Sequence, residues 1–379
     1  MSRVAARRAA TGATGAAGAG FHPQPIHLAG INVAWLSAAL AERYRDVEVV
    51  GVRQDPALEG TATKVRVHLE YNRAGGDAGL PPTLIVKGGF GAHRDLMACI
   101  YQLEVRFYRD LAPALNISVP ACFYAACDVD RNQAIVILED LDARGAQCCR
   151  VESPLNFQDA AAQLSLLAAC HARWWNSKEF DAAGALAWVE PLDPLPEGVA
   201  GSYQRGQLRP EVYAHYMGLP RGVAIARMFH DRDRMERAME QLRVVDRAGP
   251  FCLLHGDAHL GNLYFDRDRK AGVLDWQSVR KGPWAHDVTY LLISSLDMLD
   301  RRAWEAPLLR HYLAALSDLG VDAPPFDAAW HAYRQQIIYG LYYWLVNPIE
   351  FQQEVNNCAV AARFALAAVD HAAFDCLRV

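Results

Sequence analysis

The segment that runs from His255 to Asn262 combines residue types that can hold a cation and act on a hydroxyl group. It reads HGDAHLGN, so that Asp257 lies five residues before Asn262. Two short apolar runs follow, and the second ends at Asp275 in the tripeptide DWQ. Because polar side chains at the ends of short strands can converge, we expect Asp257, Asn262 and Asp275 to meet at one point.

Oxygen ligands of this kind indicate a magnesium site. Mg²⁺ in proteins binds through one or two carboxylates and takes its other ligands from phosphates and water. Phosphoryl transfer needs such a metal, a residue that orients the attacking hydroxyl and a cation on the phosphates. The combination of HGDAHLGN with a nearby DWQ therefore predicts phosphoryl transfer.

A zinc site is the alternative interpretation of the same segment. His255, Asp257 and His259 stand at positions i, i+2 and i+4, and histidine and aspartate at such spacing can bind zinc in a hydrolase. This metallohydrolase hypothesis leaves DWQ and an upstream lysine, Lys87, without a role. If the segment serves phosphoryl transfer instead, His255 and His259 are expected to support the loop by hydrogen bonds or by packing.

The elements that must position these residues differ between the first third of the chain and the remainder. The strand-like runs lie in the first third and are Val47–Val52, Thr63–Tyr71, Thr83–Lys87, Cys122–Tyr124 and Ala134–Leu138. The main helical patterns are Val33–Tyr44, Asp95–Leu111, Phe157–Trp175, Val223–Leu242, Phe326–Val346 and Glu350–Leu377. Periodicities of two and then of 3.6 predict an α+β fold, with a boundary near residues 139–142.

Bulk composition narrows the classes of protein to consider. The 379 residues suffice for one large or two medium domains, and 52% hydrophobic residues provide a sizeable core. The formal net charge of -5 does not indicate a nucleic-acid-binding protein, and no apolar run is long enough for a membrane span. Nine cysteines without a CxxC pair predict reduced thiols in a cytoplasmic protein. Residues 1–24 lack hydrophobic periodicity, which predicts a disordered tail.

The runs HGDAHLGNLYF, GVLDWQ and GPWAHDV resemble the aminoglycoside phosphotransferase and choline-kinase-like superfamily. The DWQ ending is similar to that of bacterial relatives of ecdysteroid-kinase-like enzymes. The resemblance extends roughly from Val47 to Tyr343 and implies a two-lobed protein-kinase-like fold. Residues 25–141 would form an N-terminal, nucleotide-binding lobe with an antiparallel sheet and a helix. Residues 142–379 would form a larger, mainly helical lobe with the catalytic loop and the substrate site.

The same resemblance implies a role for the aspartates and the asparagine of these runs. Asp257 matches the catalytic-loop aspartate that orients or deprotonates the hydroxyl group. Asn262 and Asp275 match the two magnesium ligands. Asp287 matches the buried aspartate that braces the catalytic loop.

The first third of the chain is then expected to supply an ATP site. Lys87 ends the apolar run Leu84–Val86, as the phosphate-binding lysine does in kinases. Glu104, in the helix that follows, is its expected partner. Only five of the 38 basic residues are lysines, so a lysine at this position is more informative than usual.

The nucleotide loop and the hinge between the lobes are less distinctive. The chain has no G-x-G-x-x-G loop, but the backbone N–H groups of a sparser turn can still contact phosphate. The glycine of this turn could equally belong to an ordinary hairpin. An acidic pair after an apolar strand resembles the hinge whose backbone pairs with adenine. The residues are Gly60, Thr61 and Thr63 in the loop, and Glu139, Asp140 and Leu141 in the hinge.

The acceptor side is the part that the sequence defines least. The segment Ile338–Trp344 is aromatic and contains no acidic residue, whereas an aminoglycoside site needs several carboxylates to pair with ammonium groups. We therefore expect a neutral or lipophilic alcohol as the phosphate acceptor, with ATP and Mg²⁺ as cofactors. The aromatic residues could also be helix core, and an aminoglycoside-type kinase and a non-catalytic ATP-binding relative stay open. So does the oligomeric state.

Overall fold

The structure, a computed structural model, describes residues 23–192 and 205–379. A five-stranded antiparallel sheet forms the first part, and helices with two small sheets form the second. The predicted α+β class is therefore confirmed. All but the last two residues of the predicted tail lie outside the described residues, and the division at residue 141 stays a prediction. Among the described residues, no helix is both long and apolar enough to cross a membrane.

The five strands of the large sheet match the five predicted runs: Thr63–Tyr71 has the predicted bounds, and the other four differ at one or both ends. In chain order the strands of the described residues are β1 (Val49–Gln54), β2 (Thr63–Tyr71), β3 (Thr83–Gly88), β4 (Cys122–Asp128), β5 (Gln133–Glu139), β6 (Gln147–Cys148), β7 (Cys252–Leu254), β8 (Leu263–Phe265), β9 (Ala271–Val273) and β10 (Arg280–Gly282). The large sheet has the order β1-β2-β3-β5-β4 with antiparallel pairs. The small sheets are β6-β8-β9 and β10-β7.

The helices of the described chain pack against the large sheet and build the second part. They are α1 (Val33–Ala41), α2 (Arg73–Asp77), α3 (Arg94–Arg106), α4 (Leu141–Arg144), α5 (Phe157–Arg173), α6 (Pro210–Gly218), α7 (Pro220–Val223), α8 (Arg232–Asp246), α9 (Ala285–Ser295), α10 (Met298–Asp318), α11 (Phe326–Leu345), α12 (Glu354–Asp370) and α13 (Ala373–Cys376).

Strand β2 shows how the sheet separates its core from the site. Its residues Val65 and Val67 are buried and belong to the same apolar cluster as Trp35 of α1. Because successive side chains of a strand point to opposite faces, Lys64 and Arg66 lie on the other face, toward the helical part. The alternation of the sequence thus places the cationic side chains of Lys64 and Arg66 on the face of the sheet that points toward the helical part.

Two predicted helices have wrong boundaries. The helix predicted from Val223 begins at Arg232 instead, because Asp231 caps it by accepting a hydrogen bond from Arg234 N–H at 2.9 Å. The last predicted helix, to Leu377, is interrupted after Asp370. Its next segment is preceded by a residue in the left-handed region, Ala372 with φ 46°.

Helix α9 runs through the second part of the protein with all of its side chains buried. It holds the segment His255–Asn262, here called the HGD segment. Asp287, in its first turn, accepts hydrogen bonds from the backbone N–H groups of His255 at 2.7 Å and Gly256 at 3.0 Å. Nε2 of His171 lies 3.2 Å from the same carboxylate, and its Nδ1 lies 2.7 Å from the hydroxyl of Tyr312. One buried carboxylate therefore fixes the segment to α5 and α9.

The Asp287→Ala variant should unfold more readily. Two buried N–H groups and the His171 ring would lose their acceptor, so we expect the free energy of unfolding to fall by about 3–5 kcal/mol. Burial alone would raise the pKa of Asp287, but the hydrogen bond with His171 and the nearby histidine charges together outweigh it and lower that pKa. A lowered pKa means that the contribution is complete above about pH 4 and declines as the pH falls further. Urea unfolding at pH 7 measures the loss.

Asp297→Ala is the matched control for this experiment. Asp297 is an exposed carboxylate that caps α10 by accepting a hydrogen bond from Leu299 N–H at 3.0 Å. Loss of such a cap costs about 1 kcal/mol. Equal losses in the two variants would contradict the bracing role of Asp287.

Candidate functional site

Three buried charges join the large sheet to the turn that follows β9. Nζ of Lys87, in β3, lies 2.6 Å from Oδ1 of Asp275 and 2.7 Å from Oε2 of Glu104 in α3. The exposed fractions of the three side chains are only 4%, 9% and 3%, in that order. The structure thus brings together the lysine, its expected partner and the aspartate of DWQ.

The charges of this cluster depend on one another. Burial alone would lower the pKa of Lys87, but the carboxylates of Asp275 and Glu104 outweigh it and raise that pKa. Burial would raise the pKa of Asp275, yet Lys87 and the nearby Lys64 hold it below its usual range. Burial raises the pKa of Glu104 against the attraction of Lys87. Asp275 is therefore the carboxylate that stays ionised most readily.

An aromatic stack positions the turn that carries Asp275. The residue has φ 68°, a left-handed conformation that side-chain-bearing residues adopt infrequently. Its neighbour Trp276 stacks on Phe107, with ring centroids 3.9 Å apart and an angle of 6° between the planes. The ring of His255 approaches the same indole at 4.6 Å. Phe107 begins a π-helical turn, Phe107–Leu111, that continues α3, and such turns are frequent at functional sites.

The catalytic-loop residues predicted from the sequence contact each other directly. Nδ2 of Asn262 donates hydrogen bonds to the carbonyl oxygen of Asp257 at 2.8 Å and to its Oδ2 at 3.2 Å. The N–H of Leu274 donates to the carbonyl oxygen of Asn262 at 2.9 Å, which brings Asn262 beside Asp275. The Asp257 side chain keeps 29% of its surface exposed. Burial and then the Asp275 charge raise the pKa of Asp257 well above its usual value.

Both histidines of the segment use ring nitrogens within the loop. In His255, Nδ1 accepts a hydrogen bond from Asp257 N–H at 3.2 Å, and Nε2 lies 3.0 Å from the Leu274 carbonyl oxygen. In His259, Nδ1 accepts one from Gly261 N–H at 3.0 Å, and burial lowers its pKa to about 4. Residues 23–192 and 205–379 contain no group of three His, Cys, Asp or Glu side chains that could hold a metal. The geometry favours supporting roles and gives no support to the zinc hydrolase.

The oxygens that remain in the loop fit a hard divalent cation. Since Asn262 donates through its amide nitrogen, its Oδ1 has no hydrogen bond to any described residue. Among the described residues, Oδ2 of Asp275 accepts one hydrogen bond, from Nζ of Lys64 at 3.3 Å. One carboxylate and one amide oxygen suit a cation that keeps water or phosphate ligands. Asn262 and Asp275 could therefore hold Mg²⁺.

The predicted nucleotide loop is fastened to the region of α3. A Cβ at Gly60 would meet only one carbonyl oxygen, at 3.8 Å, so this turn does not require glycine. The carbonyl oxygen of Thr61 accepts a hydrogen bond from the Tyr101 hydroxyl at 2.7 Å and lies 3.1 Å from Nε2 of His93. Thr63 is buried at the start of β2. The loop is ordered by its backbone rather than by its side chains.

The predicted hinge uses its carboxylates in ion pairs. Oε2 of Glu139 lies 3.1 Å from Nη1 of Arg144. Asp140 accepts two hydrogen bonds from Arg66 of β2, at 2.8 Å from Nε and 3.1 Å from Nη2. Leu141 is buried and begins α4. An adenine base at this segment could therefore form hydrogen bonds with the backbone, but not with these carboxylates, which are already paired with arginines.

A row of aromatic side chains, here called the aromatic wall, extends from Asp257 along α9 and α11. Its members are His259, Tyr290, Tyr339, Tyr343 and Trp344. Neighbouring ring centroids are between 4.4 and 6.3 Å apart. Nε2 of His259 lies 3.8 Å from Oδ2 of Asp257. Tyr339 and Tyr343 are one helical turn apart and only half-buried, so they present ring surface on this side of the site.

Charge beside the aromatic wall is sparse and of both signs. Burial raises the pKa of Tyr339 well above its usual value, and Asp257 adds to this shift whereas Arg280 opposes it. Burial raises the pKa of Tyr343 to about 12, and the charges of Arg243 and then Arg280 oppose this shift. The one carboxylate and two arginines that act on these tyrosines are a poor match for a ligand with several ammonium groups.

Sequence reasoning missed three residues that complete this site: Lys64, Arg66 and Phe107. Lys64 and Arg66 alternate with the buried residues of β2, and this strand period was the available signal. The scarcity of lysine in the chain was a second signal for Lys64. Phe107 had none, because its stacking partner comes from a distant segment.

Sequence comparison identifies the family. The profile of APH, described as the phosphotransferase enzyme family, matches residues 101–333, more than half of the chain. No curated protein matches the chain significantly by sequence. The matched range includes Glu104, the HGD segment, DWQ and Asp287.

Solved structures align with this chain at low sequence identity. APH(2")-IIia, solved with GDP and kanamycin, is 11% identical and has a TM-score of 0.51, over 90% of this chain and 99% of that one. Macrolide 2'-phosphotransferase MphH from Brachybacterium faecium is 18% identical, with a TM-score of 0.48 over 86% of this chain and 96% of that one. Choline kinase LicA from Streptococcus pneumoniae is 14% identical, with a TM-score of 0.47 over 88% of this chain and 98% of that one.

The first of these likenesses confirms the protein-kinase-like fold and carries nothing about the substrate. The family profile adds what the fold alone does not, because it covers Glu104, the HGD segment and the turn that carries Asp275. The chain therefore belongs to the phosphotransferase enzyme family APH.

Proposed function

We propose that this protein is a kinase that transfers the γ-phosphate of ATP to a hydroxyl group of a small molecule. The observation that carries the proposal is the meeting of Lys87, Glu104 and Asp275 beside the loop that presents Asp257. Membership in a phosphotransferase family supports the transfer of phosphate. The similar fold of a GDP-bound structure supports the use of a nucleotide.

On this proposal the buried cluster binds the polyphosphate. Lys87 directs its ammonium group at the phosphates, and Glu104 keeps it in place at 2.7 Å. Asn262 and Asp275 hold Mg²⁺, which would neutralise charge on the phosphates that are transferred and released. The two residues come from neighbouring turns that a backbone hydrogen bond of 2.9 Å, from Leu274 to Asn262, holds in register.

Asp257 is the residue proposed to act on the acceptor hydroxyl. Its carboxylate is the most exposed of the three in the loop and cluster, and the hydrogen bond from Asn262 at 3.2 Å orients Oδ2. A raised pKa makes this carboxylate a better proton acceptor than an ordinary surface aspartate. It would position the hydroxyl for attack and take its proton.

The acceptor is proposed to be a neutral or lipophilic alcohol. The aromatic wall offers ring surface next to Asp257, and Tyr339 and Tyr343 are half-buried there. A ring or an aliphatic skeleton packed on these tyrosines would leave water, which favours binding by about 25 cal/mol per Å² of apolar surface. Arg280 on the same side would repel a polycation.

The function is tested by following ADP release from ATP and Mg²⁺ with neutral alcohols, steroids, aminoglycosides and choline-like amines as acceptors. With the best acceptor, Asp257→Asn should lower kcat/KM by about 10²–10⁴-fold, because the hydroxyl loses its proton acceptor. ADP binding should persist in this variant. For the unchanged protein, kcat/KM should fall as the pH drops through the raised pKa of Asp257, from a pH above the ordinary aspartate value of about 4.

Asp268→Asn is the control for this variant. Asp268 is an exposed aspartate in the turn between β8 and β9, and its exchange should leave kcat/KM unchanged. Full activity of Asp257→Asn would refute the proposed role. ADP binding without turnover on any acceptor would instead indicate a non-catalytic nucleotide-binding protein.

The acceptor class is tested by removing one ring of the aromatic wall. Tyr339→Ala should raise the KM for a neutral alcohol about 10–100-fold, since the acceptor loses roughly 1.5–3 kcal/mol of ring contact. The KM for ATP should not change. Tyr339→Phe should keep most of the affinity, because the contact is apolar.

Tyr44→Ala provides the comparison for Tyr339→Ala. Tyr44 is a half-buried tyrosine whose ring packs on Phe123, 6.3 Å away on the large sheet, outside the proposed acceptor site. The KM for the alcohol should be unaffected by this change. A preference for aminoglycosides over every neutral alcohol would overturn the acceptor class but not the kinase activity.

A further inference from the structure

Lys64 and Lys87 form a directly opposed pair of like charges in the large sheet. The two residues are cross-strand partners in the register of β2 and β3, so their side chains leave the sheet on the same face. Like charges in this arrangement destabilise a sheet. Two of the five lysines of the chain are therefore placed where their repulsion lowers stability. An anion that both can contact would offset this repulsion.

The anion that they share in the structure is Asp275. Lys87 contacts Oδ1 at 2.6 Å, whereas Lys64 contacts the other oxygen, Oδ2, at 3.3 Å. The two contacts are unequal in strength, because the Lys64 side chain is 40% exposed and that of Lys87 only 4%. A long, solvated ion pair is worth at most about 1 kcal/mol, so the Lys64 ammonium can leave Asp275 at little cost.

Oδ2 of Asp275 is also the oxygen that a divalent cation would need. Lys87 already binds both Glu104 and Oδ1 of Asp275, which leaves Oδ2 and the amide oxygen of Asn262 as the ligands of the proposed metal site. A lysine on Oδ2 and a cation on the same oxygen exclude each other by repulsion. When the cation binds, the ammonium of Lys64 must find another negative group within reach of its four-carbon stem.

We propose that Lys64 is a second polyphosphate-binding lysine, which covers Oδ2 of Asp275 in the nucleotide-free protein and moves to the phosphates when nucleotide and metal bind. The inference rests on the proposed function, since it takes the ligand to be a nucleotide polyphosphate. In the free protein Lys64 balances the charge that the metal would otherwise balance. In the complex it adds a second cation to the phosphates, from the strand next to that of Lys87.

The test uses the full chain and two probes, ADP with Mg²⁺ and Mn²⁺ alone, with binding measured by calorimetry. Lys64→Gln should weaken ADP binding about tenfold, which corresponds to about 1.4 kcal/mol. It should bind Mn²⁺ alone several-fold more tightly than the unchanged protein, because Oδ2 of Asp275 is uncovered. Lys64→Arg keeps the charge and should retain most of the ADP affinity.

Lys270→Gln is the matched control, since Lys270 is an exposed lysine in the turn between β8 and β9. It should change neither affinity. Unchanged ADP binding in Lys64→Gln would overturn the contact with the phosphates, and unchanged Mn²⁺ binding would overturn the covering of Asp275. If the unchanged protein bound no ADP, the proposed function itself would fail and this inference with it, whereas normal ADP binding with an inert Lys64 would refute this inference alone.

Discussion

The contact between Lys87 and Asp275 is the constraint on which the geometry of the site depends. Its two charged atoms are 2.6 Å apart and almost fully removed from water. A buried charge that loses its partner typically costs about 3–5 kcal/mol, so the end of β3 and the turn after β9 are not free to move apart. Glu104 adds the α3 helix to the same ammonium group. The sheet, the α3 helix and the turn after β9 therefore position one another through a single cation.

The HGD segment is held by hydrogen bonds, on the side opposite the contact between Lys87 and Asp275. Asp287 binds the N–H groups of His255 and Gly256, and the His255 ring bridges onward to the Leu274 carbonyl oxygen. Gly256 has φ 81°, and a Cβ there would lie 2.0 Å from a backbone oxygen, so this turn admits only glycine. With its base fixed in this way, the loop can present Asp257 without a strong contact at the carboxylate itself.

Elements built from consecutive residues could be predicted from the sequence, whereas contacts between distant segments could not. The strand that carries Lys87 and the turn that carries Asp275 each have a local pattern, and the runs HGDAHLGNLYF, GVLDWQ and GPWAHDV indicated the family. The approach of Lys64 to the cluster depends on the register of β2 against β3, in which a slip of one residue would turn the side chain to the other face. The stacking of Phe107 depends on tertiary packing. The break before Ala372 has no glycine or proline to mark it, so periodicity alone extended the helix through it.

On the proposed function, the two sides of the site differ in how strongly sequence can specify their ligands. Phosphates require charges at fixed distances, and such charges survive in a chain as recognisable residue types and spacings. An alcohol packed on the aromatic wall requires apolar area, and apolar contact is not directional. Tyr339 and Tyr343 lie on α11, and their ring contacts in the described part of the chain are separate from the ion pairs of Lys87, so the two tyrosines can change without removing those ion pairs. The phosphate side is therefore constrained by the spacing of its charges, while residues of the acceptor side can change without altering that spacing.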